Sequence, residues 1–269
     1  MQWKEQAKNR FSEKEDAHKW SSIYTNERPS VEARSFRARR DYSVDFIHAQ
    51  APTGACILDI GCGAGPVLVK LNPQQYRLIG MDYSADMLHL ARINLGQQAQ
   101  QVSLMQGECE RLPLPAASVD IAVCLGVISY AESIENALHE ISRILKDDGH
   151  AIVTYRNYYN DIFMDPALWL KAIAGFFTGR QSQLDKKIGR SIPRTEVIAN
   201  IKKTNLQIID ETQIGFGSLR FNRKVISDGK LATLINRLLH WLLTGFKLKT
   251  LYRSMADIHI IVIKKPRVS

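Results

Sequence analysis

The residues best suited to chemistry are Asp59-Ile60-Gly61-Cys62-Gly63-Ala64-Gly65, which follow an apolar run and precede a helical pattern. Glycines at such a turn let the backbone approach a ligand with no Cβ in the way, and the start of a following helix offers unpaired N–H groups. Pro66 suits a first helical turn, where no N–H is needed. A nucleotide-like ligand fits this turn. The spacing is G-x-G-x-G, with Pro66 where a dinucleotide fold would place a third small residue, which argues against a nicotinamide cofactor. No Lys or Arg stands in the turn, as P-loop phosphate chemistry requires. Asp82 ends the next apolar run, 21 residues after Gly61, where a carboxylate can accept from both hydroxyls of a ribose.

These residues need a scaffold that brings strand ends together. Short apolar runs at 55–61, 76–82, 102–107, 119–126 and 149–156 alternate with helical stretches near 64–71, 84–95 and 133–146, the pattern of a parallel sheet wound with helices. Within 133–146, Ile134, Leu138, Ile141 and Leu145 recur at helical spacing after the capping residue Ser133. Further on, helices are expected at 166–177, 192–205 and 230–249, and strands at 206–216 and 258–265. The fold class is α/β: a Rossmann-like seven-stranded sheet, mostly parallel with its last strand antiparallel. A helical lid segment is expected over residues 1–50, and the main domain over 51–269, with insertions at about 156–195 and 217–255 forming a cap.

Four stretches in series, ILDIGCGAG, IGMDYSADML, GECERLPLPAASVDIAVCLGVI and LHEISRILKDDGHAIVTYRN, resemble the successive motifs of class I S-adenosylmethionine-dependent methyltransferases. The likeness is to the small-molecule group that includes ubiquinone and menaquinone biosynthesis enzymes, and it covers residues 50–160. It implies S-adenosyl-L-methionine as cofactor. It places Asp59, Gly61 and Gly63 around the methionine amino end, Asp82 on the ribose, and Tyr83 and Met87 beside the adenine. Glu108, with Cys109, matches the acidic position that meets the adenine amino group, usually Asp in this family. Leu125 and Gly126 match the strand end near the methionine portion. Where many relatives carry a His after the fourth strand, this chain has Ser129 and Tyr130, so no catalytic base is assigned.

Candidates for substrate contact are Tyr130, and Tyr155, Arg156 and Asn157 at the carboxyl end of the fifth strand, because ligands bind there in open α/β sheets. Ordinary strand-end polarity explains the last three as well. From the N-terminal segment, Tyr24, Arg37, Arg40 and Tyr42 could fold over the cofactor, an Arg meeting its carboxylate. Residues 230–253 place Leu231, Leu234, Ile235, Leu238, Leu242 and Phe246 along one face, and every charge in the segment is basic. Interruptions leave it too short to span a bilayer. It could roof the substrate pocket or lie on an anionic membrane.

Charge is unevenly spread. Residues 53–154 hold 6 basic and 11 acidic side chains, whereas 155–269 hold 20 and 8. The acidic middle favours a sulfonium cofactor over an anionic one. The basic tail leaves open a membrane or an RNA partner, nucleic acid being the weaker expectation. Cys56, Cys62, Cys109 and Cys124 form no CxxC pair, so buried reduced thiols are expected and no metal. The N-terminus shows no signal-peptide core, and a cytoplasmic location is expected, peripheral to a membrane if the basic helix touches one. The expected activity is methyl transfer to a small, lipophilic acceptor. The alternatives are a macromolecular methyltransferase and a catalytically silent cofactor-binding subunit.

Overall fold

A computed structural model describes residues 30–168, 170, 191–221, 224–246 and 248–267. Helix α1 (Val31–Gln50) begins at Ser30, whose Oγ accepts from Ala33 N at 3.0 Å. The wound core follows as β1 (Cys56–Ile60), β2 (Arg77–Asp82), α2 (Ala85–Leu95), β3 (Val102–Gln106), β4 (Val119–Leu125), α3 (Ile134–Ile144) and β5 (Leu145–Arg156). Then come α4 (Tyr158–Phe163), α5 (Arg194–Ile201), β6 (Gln207–Ile214), the hairpin β7 (Leu219–Phe221) and β8 (Lys224–Ser227), α6 (Lys230–Gly245), α7 (Lys249–Met255) and β9 (Ile258–Lys264).

Seven strands form one sheet in the order β3-β2-β1-β4-β5-β9-β6. Neighbours from β3 to β5 run parallel, and β9 runs antiparallel to both β5 and β6. This is the mostly parallel, Rossmann-like sheet with one reversed strand that the sequence predicts. All five residues of β1 are buried, as befits a central strand covered on both faces. On one face, Leu138 and Ile141 of α3 and Val197 of α5 pack on Leu58, Val153 and Ile261. On the other, Ile47 of α1 packs with Leu68, Tyr76, Ile57, Val123 and Ile260. Strand order reverses between β1 and β4, which opens a crevice at their carboxyl ends.

The structure departs from sequence expectation in several places. The helix expected at 64–71 is only a 3-10 turn, Leu68–Lys70. Gly61, Gly63 and Gly65 all hold positive φ, so helical geometry cannot begin before Pro66, and the few residues left do not repay helix nucleation. Helix α3 stops at Ile144, because Leu145 already pairs with Val119 in the sheet. The hairpin at 219–227 was not foreseen, since its connection Asn222-Arg223 carries no glycine. The segment 230–253 is two helices rather than one. Most of the expected helix 166–177, and Tyr24, lie outside the described residues. Cys56, Cys62 and Cys124 are buried thiols, but Cys109 is only partly covered.

Candidate functional site

A cavity of about 360 Å³ opens where β1, β2 and β4 end, and all ten residues singled out for cofactor binding, from Asp59 to Gly126, line it. The glycine turn forms its floor. At φ +68°, Gly61 would place a Cβ 2.2 Å from Val127 Cγ2, so only glycine lets the chain leaving β4 pass this close.

Four N–H groups of the turn are already committed. Gly61 N and Cys62 N donate to Met81 O at 2.7 and 2.9 Å, and Gly65 N donates to Cys62 O at 2.9 Å. Gly63 N donates to Asp82 Oδ2 at 2.8 Å. With no α-helix starting here, the expected set of helix N-terminal donors is absent, and the expectation that they meet the ligand is corrected. What the floor offers instead is carboxylate. Asp82 holds the turn to β2 and also accepts from Ser84 N at 2.9 Å. Burial raises its pKa against the pull of the Ser84 and Gly63 N–H groups. Asp59 is 2% exposed, and its Oδ2 has no hydrogen-bond partner. Burial and the Asp82 charge lift its pKa to about 7, while Arg39 pulls the other way.

Helix α1 lays one face along the cavity, through Glu32, Ser35, Phe36 and Arg39. The Arg39 guanidinium carbon sits 3.9 Å from the centroid of the Phe36 ring. This arginine was missed. Arg37 and Arg40, expected over the cofactor, do not line the cavity; Arg40 pairs with Asp41, and Tyr42 donates to Asp210 Oδ2 at 2.7 Å. The signal was present in the spacing of 32, 35, 36 and 39, which share one helical face.

Comparison with known proteins fits this geometry. A family model described as a methyltransferase domain matches residues 58–153. Residues 58–153 are a methyltransferase domain. The chain is 29% identical to the uncharacterized methyltransferase YcgJ of Bacillus subtilis, across 48% of this chain and 54% of that protein. It is 33% identical to the ubiquinone/menaquinone biosynthesis C-methyltransferase UbiE of Syntrophotalea carbinolica, across 44% of this chain and 52% of that one. The chain thus spans about half the length of these curated relatives. Among solved structures, its fold resembles geranyl diphosphate C-methyltransferase from Streptomyces coelicolor, in complex with Mg2+, geranyl diphosphate and S-adenosyl-L-homocysteine. The TM-score is 0.55 at 15% identity, covering 84% of this chain and 79% of that one.

The four substrate-contact candidates divide evenly. Tyr130 and Arg156 line the cavity; Tyr155 and Asn157 do not. Side chains alternate across a strand, so Tyr155 points to the face opposite Arg156. There it stacks on His259, ring centroids 5.3 Å apart, and is 1% exposed. Asn157 is spent on structure: its amide donates to Ser254 O at 2.8 Å and Ala256 O at 3.0 Å, fastening β5 to the chain entering β9. Arg156 itself holds Asp257 Oδ1 at 3.1 Å. From the second insertion, the cavity takes Ser218, Arg220 and Val225, around the hairpin, and no residue of α6, so the helix expected as a roof is not part of the described lining.

Proposed function

We propose that this chain transfers a methyl group from S-adenosylmethionine to a small acceptor of lipophilic character. The observation that carries the reading is the cavity floor, where Asp59 and Asp82 present carboxylates and four N–H groups of the glycine turn are already used. Such a floor suits a cationic, ribose-bearing ligand and disfavours a phosphate chain. S-adenosylmethionine supplies an electrophilic methyl carbon on a sulfonium.

The residues present fit that cofactor. Asp82 retains lone pairs for ribose hydroxyls beyond the N–H groups it already accepts. Tyr83 and Met87 flank the adenine, and Glu108, beside Cys109, accepts from its amino group. The Asp59 oxygen that lacks a partner takes the ammonium of the methionine end, and Arg39 takes its carboxylate. Gly61, Gly63, Leu125 and Gly126 let backbone approach without side-chain interference.

The chain's remaining task is positioning. Displacement at a methyl carbon needs the nucleophile held about 3–3.5 Å away, in line and shielded from water. Val127, Ile258 and Val225 give the acceptor side an apolar wall, while Tyr130 and the Arg156–Asp257 pair orient its polar end. The C-methyltransferase names of the UbiE relatives support a small acceptor.

Incubating the full chain with methyl-tritiated S-adenosylmethionine and a cell extract tests the reading. Label in an organic-soluble product supports it. Label in RNA or protein, or binding with transfer to no fraction, overturns it in favour of a macromolecular enzyme or a silent subunit.

A further inference from the structure

Helix α6 is apolar on two faces. Inward, Ala232 and Leu243 are buried, and Leu243 and Leu239 pack with Phe216 and Met164. Outward, at positions i, i+3, i+7 and i+10, Leu231, Leu234, Leu238 and Trp241 are 56%, 64%, 52% and 66% exposed. A helix facing water ordinarily carries only one apolar stripe. The outer stripe is extended by exposed Phe246, Leu248 and Leu251 at and beyond the helix end, while exposed Phe221 and Ile226 lie on the hairpin.

The charges around these side chains have one sign. Residues 217–256 contain eight Lys and Arg and a single acid, Asp228. Asp228 is tied down, its Oδ1 accepting from Ser218 Oγ at 2.6 Å and from Glu32 N at 3.1 Å. Lys224, Lys230, Arg237, Lys249 and Arg253 are exposed.

We infer that α6, α7 and the hairpin together dock this protein on an anionic lipid membrane. Leucine, tryptophan and phenylalanine side chains enter the acyl boundary, and the Lys and Arg stems snorkel so that their charges meet headgroup phosphates. A second copy is a poor occupant, because a twofold contact would set this basic face against itself. A nucleic acid has no use for the row of exposed leucines. No helix among the described residues is long and apolar enough to cross a membrane, so the contact lies in the surface plane. The same hairpin lines the cavity through Arg220 and Val225, so docking sets the acceptor side of the cavity toward lipid. That last consequence rests on the methyl-transfer reading; the docking does not.

Co-sedimentation of the full chain with vesicles tests the inference, using phosphatidylcholine alone and phosphatidylcholine mixed with phosphatidylglycerol. Binding is expected only with phosphatidylglycerol present, and it should weaken as salt is added. The pairs Leu238→Ser with Trp241→Ser, and Lys224→Glu with Lys249→Glu, should each weaken it about tenfold or more. Circular dichroism and the heat of S-adenosylhomocysteine binding should be unchanged by either pair, which separates loss of docking from loss of fold. Absence of binding to both vesicle types overturns the inference. So does self-association abolished by the Leu238→Ser, Trp241→Ser pair, or RNA binding abolished by the lysine pair, where neither is accompanied by vesicle binding. If vesicles bind while methyl transfer fails, the docking surface stands and the methyl-transfer reading falls.

Discussion

Arg39 Nη1 of α1 lies 2.9 Å from the point that a Cβ on Gly126 would occupy, so the arginine closes over the end of β4 only because that residue has no side chain. Gly126 also holds φ +80°, which costs an L-residue about 1–2 kcal/mol. Gly126→Ala should therefore both destabilise the fold and push Arg39 off the cavity. The expected result is a lower melting temperature and about tenfold or more weaker S-adenosylhomocysteine binding, measured by calorimetry on the folded fraction.

A methyl at Gly61 meets a harder obstacle. Its Cβ would stand 2.2 Å from Val127 Cγ2, and the φ of +68° forbids an easy escape. Gly61→Ala alone should lower the melting temperature and abolish measurable cofactor binding. Adding Val127→Gly should recover part of the lost stability, because it removes the atom in the way. Thermal melts of the single and double variants provide the check.

Asp59 gives the empty protein a pH signature. Its carboxyl titrates at about 7 in the fold, against 3.8 for an ordinary Asp. Between those values the folded state holds more protons than the unfolded state. Asp59 therefore makes stability fall as pH rises through that window, and the loss levels off above it. A ligand ammonium favours the ionised carboxylate, so cofactor affinity should rise toward pH 7, by about tenfold per pH unit at most, and then flatten. Asp59→Asn should remove both slopes, in denaturation midpoints and in binding isotherms taken across pH.

A second ionic cluster, beside the Tyr155–His259 ring stack and outside the cavity lining, contributes to acid stability. Arg194 grips Glu211 with Nε–Oε1 at 2.7 Å and Nη2–Oε2 at 2.6 Å, while His259 Nδ1 stands 3.3 Å from Oε1. Burial alone would raise the Glu211 pKa, but the hydrogen bonds from Arg194 and His259 outweigh it and hold the value at about 2. Its stabilisation is complete above the ordinary Glu value of 4.5 and fades as pH falls toward 2. Glu211→Gln should cost about 1–2 kcal/mol near neutral pH, because it takes the carboxylate from a guanidinium that is still 35% exposed and so partly solvated. It should leave cofactor affinity unchanged, since Glu211 does not line the cavity. Urea melts at neutral and acid pH measure the difference.

The sheet and the cofactor half of the cavity are legible in the sequence because their signals are local. A run such as ILDIG followed by spaced glycines encodes a buried strand and a turn without help from distant residues. The rest depends on long-range packing. In Phe36-Arg37-Ala38-Arg39-Arg40, three arginines share one helical turn, and only the face set by Glu32, Ser35 and Phe36 selects Arg39. Strand alternation could have ruled that Tyr155 and Arg156 do not share a face. The fate of Asn157 could not be read this way, because its partners at Ser254 and Ala256 lie some hundred residues away in sequence. The stripe along 230–253 from Leu231 to Phe246 contains no fully buried residue; the core contacts of α6 come instead from Ala232, Leu239 and Leu243, which lie off it, and the helix ends at Gly245.

Calorimetric titration of the folded chain with S-adenosylhomocysteine, beside NADH and ATP, tests the central claim most directly, with Asp82→Asn as the paired variant. The account predicts saturable heat with the thioether alone, weakened about tenfold to a hundredfold by the variant, as expected for loss of charge-assisted hydrogen bonds. Saturation by NADH or ATP with no heat from S-adenosylhomocysteine would contradict it.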